Sequence, residues 1–275
     1  MNQSFHWTTA DGLKIYGHDW SVDQAKAVFC LIHGFGEHCE RYHHVAAEFN
    51  RNGYAMVGYD RRGHGKSEGK RGHTTGYAAF LDEITDLIQK SAERYPGVPQ
   101  YFYAHSMGAN LALNYLLRRK PDIKGAIVTG TWIRLSKEIP GILKSILKLI
   151  NAVYPTFTQT TPLYPELIST IPEEAQKYGD DPLNHGEMTA ATATAMFDAC
   201  RYLEQYAGNF PVPLLMLHGA ADHLIDPMAA QRFAERVSGD VQFKNFPDQA
   251  HEIHNDRLAP EVFQTAIAWA NAHTA

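Results

Sequence analysis

The sequence has 275 residues, enough for one α/β domain or two small ones whose core buries most of its apolar side chains. Its 25 Lys and Arg are outnumbered by 30 Asp and Glu, so no basic surface for nucleic acid is expected. The 15 histidines include no His-Glu-x-x-His or similar ligand set, and Cys30, Cys39 and Cys200 lack metal spacing. Neither a metal nor a cofactor is expected. The cysteines read as free thiols of a reducing compartment. The start, MNQSFHWTTADG, has no cationic, apolar leader pattern, and no stretch has the length of a membrane span. A cytoplasmic protein is therefore expected.

Two runs, Phe5 to Thr9 and Leu13 to Trp20, flank Asp11-Gly12 and predict a hairpin. Six short apolar runs follow, at 27–34, 55–60, 101–106, 125–130, 213–219 and 241–246, each reading as a buried parallel strand. Helical patterns alternate with them at 41–52, 77–94, 106–119, 227–237 and 260–272. Gly53 is a C-terminal stop, and Asp226 before Pro227 is an N-cap. An antiparallel start and then alternation imply a mostly parallel eight-stranded sheet with helices on both faces.

The alternation breaks from 131 to 207, where no strand is expected. Ile139, Ile142, Leu143, Ile146, Leu147, Ile150 and Val153 recur at helical spacing, with Lys144 and Lys148 between them. Pro155, Pro162, Pro165 and Pro172 then suggest an irregular stretch, before another helix at 188–206. The division expected is a core of 1–130 and 208–275 with a helical cap inserted at 131–207. The apolar face of the first cap helix is expected to pack on the sheet domain and line an acyl channel. In a sharper alternative, part of it faces a lipid surface with the two lysines near the headgroups.

Ligands of open parallel sheets bind at the carboxyl ends of strands. Those ends carry His33-Gly34-Phe35-Gly36-Glu37-His38, Asp60-Arg61-Arg62-Gly63-His64-Gly65, Ser106, His218-Gly219-Ala220-Ala221-Asp222 and His251-Glu252. The order Ser, Asp, His at successive strand ends is that of α/β-hydrolases. A serine hydroxyl needs a base, the base needs a carboxylate to hold its tautomer, and the developing oxyanion needs fixed backbone donors. Asp226 competes with Asp222 but is explained as an N-cap. His254 competes with His251 but lies further from the strand. The Asp60–Gly65 run reads as a structural turn. His33 and His218 read as strand-end histidines, either able to line a pocket.

HGFGEHCERY, YDRRGHGKSEG, AHSMG, HGAADHLIDP and HEIHND together resemble monoacylglycerol lipases and bacterial lysophospholipases of the α/β-hydrolase superfamily. The resemblance implies hydrolysis of monoesterified glycerol lipids through an acyl-serine. It assigns Ser106, Asp222 and His251 to a triad, and Phe35 and Met107 to the oxyanion hole. It places Glu37, Arg41, His105 and Tyr178 near the glycerol end of the pocket. Glu37 and Arg41 read equally well as an ion pair fixing the oxyanion loop, and Tyr178 as an ordinary packing residue. Ala104 departs from the Gly-x-Ser-x-Gly elbow and reads as a tolerated methyl.

The expected partner is thus a lipid ester, with transient membrane contact through the cap; oligomeric state has no signature here. A lysophospholipase or broad carboxylesterase would use the same chemistry. A superfamily aminopeptidase would need a carboxylate for the substrate amine. A non-catalytic binding protein would not need the triad. A dehalogenase would carry Asp at the elbow.

Overall fold

In the computed structural model, which describes residues 2–161 and 164–274, the chain turns at Asp11-Gly12. β1 (Asn2–Thr8) pairs antiparallel with β2 (Lys14–Trp20), Thr8 opposite Lys14. β3 (Ala27–Ile32) then crosses through α1 (His43–Arg51) to β4 (Tyr54–Tyr59), in parallel register from Ala27–Tyr54 to Ile32–Tyr59. α2 (Tyr77–Arg94), β5 (Gln100–His105), α3 (Met107–Arg119) and β6 (Ala126–Thr129) continue the alternation.

Between β6 and the next core strand lies the segment expected as an insertion. It holds α4 (Gly141–Val153), β7 (Thr158–Thr160), α5 (Pro172–Asp180), β8 (Glu187–Thr189) and α6 (Ala190–Gln205). The expectation of no strand here is wrong, because β7 and β8 pair antiparallel. Strands of three residues each are too short to show a periodicity. The stretch expected to be irregular also contains α5. It starts with proline and carries Glu173 and Glu174 in its first turn, a helix-start signal. Pro162 lies outside the described residues.

β9 (Leu214–Gly219), α7 (Pro227–Arg236), β10 (Val241–Phe246) and α8 (Ala259–His273) complete the chain. The eight core strands run β1-β2-β4-β3-β5-β6-β9-β10, parallel from β4 onward, so β6 and β9 are neighbours despite the insertion. In a fully buried strand successive side chains feed opposite layers. Phe102 and Ala104 join a core with Phe80 and Ile84 of α2, Leu113 of α3 and Phe233 of α7. Tyr101 and Tyr103 join the other core, with Phe49 of α1 and Trp269 of α8. The strand ends from β3 to β9 therefore open at one rim of a rigid three-layer body.

The first helix of the insertion overturns the expectation that its apolar face packs on the sheet. No residue of α4 is buried, and Ile142 (75 %), Leu149 (68 %) and Val153 (80 %) stand in solvent. The half-buried face is mixed: it holds Lys144, Leu147 and Ile150, with the Lys144 ammonium over the Phe197 ring, and exposed Lys148 at its margin pairs with Asp198 of α6 at 3.2 Å.

Candidate active site

β5 ends at His105 and α3 begins at Met107, so the chain reverses on Ser106 alone. Ser106 takes φ 53° and ψ −117°, a backbone that costs a non-glycine residue about 1 to 3 kcal/mol and persists where surroundings over-determine it. Its amide donates to Thr129 O (2.9 Å), and its carbonyl accepts from the amides of Asn110 (3.1 Å) and Trp132 (3.2 Å). Gly108 lets α3 lie against β3, because a Cβ there would stand 2.1 Å from Ile32 O and 2.4 Å from His33 O. Ala104 meets no comparable demand, and its methyl is fully buried in the apolar core.

From the loop after β10, His251 reaches Ser106 with Nε2 to Oγ at 2.9 Å and reaches Asp222 with Nδ1 to Oδ2 at 2.7 Å. Asp222 also accepts at Oδ1 from the amides of Leu224 and Ile225, both 2.9 Å, and at Oδ2 from His218 Nε2 at 3.0 Å. Burial would push this carboxyl up. The His251 imidazole, with hydrogen bonds from His218 and His251, outweighs that and holds it well below the usual range. The ionised carboxylate only accepts, so His251 Nδ1 carries a proton and Nε2 is free to accept from Ser106. Burial pulls His251 down, yet the adjoining Asp222 charge prevails and its pKa is raised. Asp226 takes the role read for it, accepting from Met228 N (2.9 Å) as the N-cap of α7. His254 stacks on Tyr42 at 5.0 Å and makes no bond to Ser106 or Asp222; burial pushes it down to about 3.

The loop after β3 carries Phe35 between two glycines and is held from below. Buried Arg61 donates Nη1 to His33 O (2.9 Å) and Nη2 to Gly34 O (2.6 Å), and its amide donates to His33 Nε2 (3.0 Å). His33 therefore keeps its proton on Nδ1, which faces Gly34 O at 2.8 Å. Met107 supplies the first amide of α3, one of the four that a helix leaves without an intrahelical partner. Asp60, in the turn with Arg61, accepts from the amides of Cys39 and Lys66, both 2.8 Å, as a structural turn requires.

Glu37 and Arg41 pair with each other, and the structure adds Glu252 as a third member. Glu37 accepts from Gly34 N, Tyr42 Oη (2.7 Å) and Arg41 Nη1. Arg41 also makes a fork to both oxygens of Glu252, at 2.6 and 2.7 Å. Burial pushes the Glu37 carboxyl up despite Arg41, whereas the two-pronged contact outweighs burial at Glu252 and holds it low. The loops before and after the nucleophile in sequence are thus tied through one guanidinium. Sequence reasoning missed Arg61 and Glu252. Only the position of Glu252 beside His251 hinted at it.

Tyr178 on α5 lays its ring 4.6 Å from the Arg41 guanidinium. His105 packs against the His251 ring at 4.7 Å and bonds Thr129 Oγ1 at 2.9 Å. Burial holds it neutral, well below the usual imidazole value. The insertion is latched to both loops: His185 N donates to Gly36 O (2.9 Å), Glu252 N donates to Ile168 O (2.8 Å) and His38 Nε2 meets Asp181 Oδ2 at 2.8 Å. Beside Trp132, a cavity of about 270 Å³ runs between α4 and α6, lined by Ile133, Ile139, Phe197 and Cys200 together with charged Glu138 and Lys148.

A parallel sheet with Ser106, Asp222 and His251 joined at its strand ends defines an α/β-hydrolase. Residues 23–258 match the family described as serine aminopeptidase, S33. The chain belongs to that family. It is 29 % identical over 265 residues to a monoacylglycerol lipase of Mycolicibacterium smegmatis, covering 95 % of this chain and 94 % of that one. An abhydrolase domain-containing protein of Dictyostelium discoideum is 35 % identical over 244 residues, 88 % of this chain but only 26 % of that longer protein. The solved structure of a Paleococcus ferrophilus monoacylglycerol lipase superimposes with a TM-score of 0.87 at 26 % identity, covering 94 % of this chain and 99 % of that one.

Proposed function

We propose that this protein is a serine hydrolase that cleaves monoacylglycerol-type carboxylic esters to fatty acid and glycerol. The observation that carries the reading is the continuous hydrogen-bonded line from Ser106 Oγ through His251 to Asp222. His251 takes the Ser106 proton as Oγ attacks the acyl carbonyl. The amides of Phe35 and Met107 hold the oxyanion, on a loop that Arg61 and Glu37 keep from moving. His251 then protonates the leaving alcohol, and water activated by His251 releases the acid. The substrate class follows the lipase relatives, which match nearly end to end.

The same geometry speaks against an aminopeptidase. Such an enzyme needs a free carboxylate for the substrate ammonium, and Glu37 and Glu252 are both paired with Arg41. We take 131–207 as a cap over the strand ends. The outward row of Ile142, Leu149 and Val153 rests transiently on a lipid surface, from which a monoacylglycerol enters. Among the described residues no helix is long and apolar enough to cross a membrane. The buried free thiols Cys30, Cys39 and Cys200 fit a reducing, cytoplasmic setting.

Ser106→Ala tests the reading. It should abolish p-nitrophenyl ester hydrolysis and fluorophosphonate labelling while the protein stays folded; retained turnover would remove Ser106 from the mechanism. In a panel of monoacylglycerols, lysophospholipids, triacylglycerols and aminoacyl amides, monoacylglycerols should give the highest kcat/KM.

A further inference from the structure

His218 closes β9, fully buried, in a run of apolar residues, Leu214-Leu215-Met216-Leu217. A buried imidazole is out of place there unless it is used. Its Nε2 lies 3.0 Å from Asp222 Oδ2, the oxygen that also faces His251. Among the described residues its Nδ1 is buried without a hydrogen-bond partner. Its register neighbour on β10 is Asn245. An apolar residue would fill the space without leaving that nitrogen unpaired, so the single bond to Asp222 is what the imidazole supplies.

We propose that His218 is a positioning residue that locks the Asp222 carboxylate by donating from Nε2 to the oxygen that orients His251. This inference rests on the triad reading given above. The amides of Leu224 and Ile225 hold Oδ1, and His218 adds a second contact at Oδ2 beside that of His251, so the carboxylate cannot rotate out of line. The donation has a second effect. It shares the negative charge that Asp222 directs at His251, which tempers the basicity of the imidazole. The other groups around His251 are Ser106, the His105 ring at 4.7 Å, the His254 imidazole, and the charges of Glu252 and Glu37. None of them touches the Asp222 carboxylate.

Two polar replacements that differ in reach separate donation from packing. A Gln amide can place its nitrogen near the position of Nε2, whereas an Asn amide stops near that of Nδ1. In His218→Asn, kcat for a p-nitrophenyl ester should fall about tenfold with little change in KM. The acidic limb of its kcat/KM profile should move up by about half a pH unit. In His218→Gln both should stay near wild type. Equal behaviour of the two variants, or an unmoved limb in Asn, overturns the proposal. The wild-type protein gives an arm that needs no variant: nitrogen-15 histidine NMR should find a proton on His218 Nε2 at neutral pH, and an unprotonated Nε2 overturns it. Turnover retained in Ser106→Ala would instead overturn the triad reading and leave the NMR result standing.

Discussion

Arg41 and α4 obey opposite rules. Arg41 makes three hydrogen bonds to two buried carboxylates, Glu37 and Glu252, and lies against the ring of Tyr178. α4 turns Ile142, Leu149 and Val153 to solvent and is held to α6 by its lysines. The floor is a closed polar network around a strained serine; α4 is an open apolar face. Between them, α5 and the 165–189 region belong with the floor, because His185, Asp181 and Ile168 bond its loops. The lesson is that the inserted segment is two things. One part fixes the catalytic loops, and the other presents a surface.

The floor breaks most completely at Gly108. Ala there drives a methyl into the carbonyls of Ile32 and His33 and forces α3 off β3. Gly108→Ala should leave little soluble enzyme, and what folds should lose at least about a thousandfold in kcat, since it displaces the Met107 amide proposed to hold the oxyanion. Purification yield and ester turnover check this.

Arg41→Met strips the guanidinium shared by two buried carboxylates, Glu37 and Glu252. Removing one partner of a buried pair costs about 3 to 5 kcal/mol, read as a lower denaturation midpoint at neutral pH. The sign with pH follows from Glu252, whose pKa Arg41 depresses against burial. That stabilisation is present in the wild type above the unfolded carboxylate value of 4.5 and fades as pH falls toward the folded value. The gap between variant and wild type should therefore narrow below about pH 4.5. A gap independent of pH would mean that Arg41 acts through packing.

The cap side should respond differently. Ile142→Asp, Leu149→Asp and Val153→Asp together add charge where nothing is buried. Melting temperature and p-nitrophenyl butyrate turnover should stay near wild type. Hydrolysis of monoacylglycerol presented in vesicles should drop about tenfold, since in the proposed reading the apolar face rests on the lipid surface. Equal loss on both substrates would place α4 over the pocket rather than against a lipid surface.

The legible and illegible parts divide along the same line. Ser106, Asp222 and His251 could be read because each lies in the turn or loop that follows a strand, and Pro227 diverted Asp226 to a cap. The turn at Asp60 to Gly65 was legible as structure. The work of Arg61 was not, since its partners, the carbonyls of His33 and Gly34, carry no side-chain signal. Glu252 was hidden because its partner Arg41 is 211 residues away in the chain. For α4, periodicity announced an apolar stripe but could not say what covers it. Lysines in the middle of that helix, with aromatic Phe197 and acidic Asp198 on α6, were the available sign that the stripe is not what faces α6 throughout.

The smallest effect is expected at Ala104. The elbow's usual glycine is a demand for space, and here that demand is met at Gly108, where backbone carbonyls crowd, rather than at Ala104. The Ala104 methyl faces the buried core that also holds Met107 and Val128, on a strand paired to Ile32 and Val128. Ala104→Gly removes that packing and adds backbone freedom to the unfolded chain. Together these should cost about 1 to 2 kcal/mol and lower the melting temperature by a few degrees. Turnover should stay within about twofold of wild type, because Ser106 is held by Thr129, Asn110 and Trp132 rather than by the methyl. A loss of activity without a matching loss of stability would show that the methyl, too, is part of what holds the serine at φ 53°.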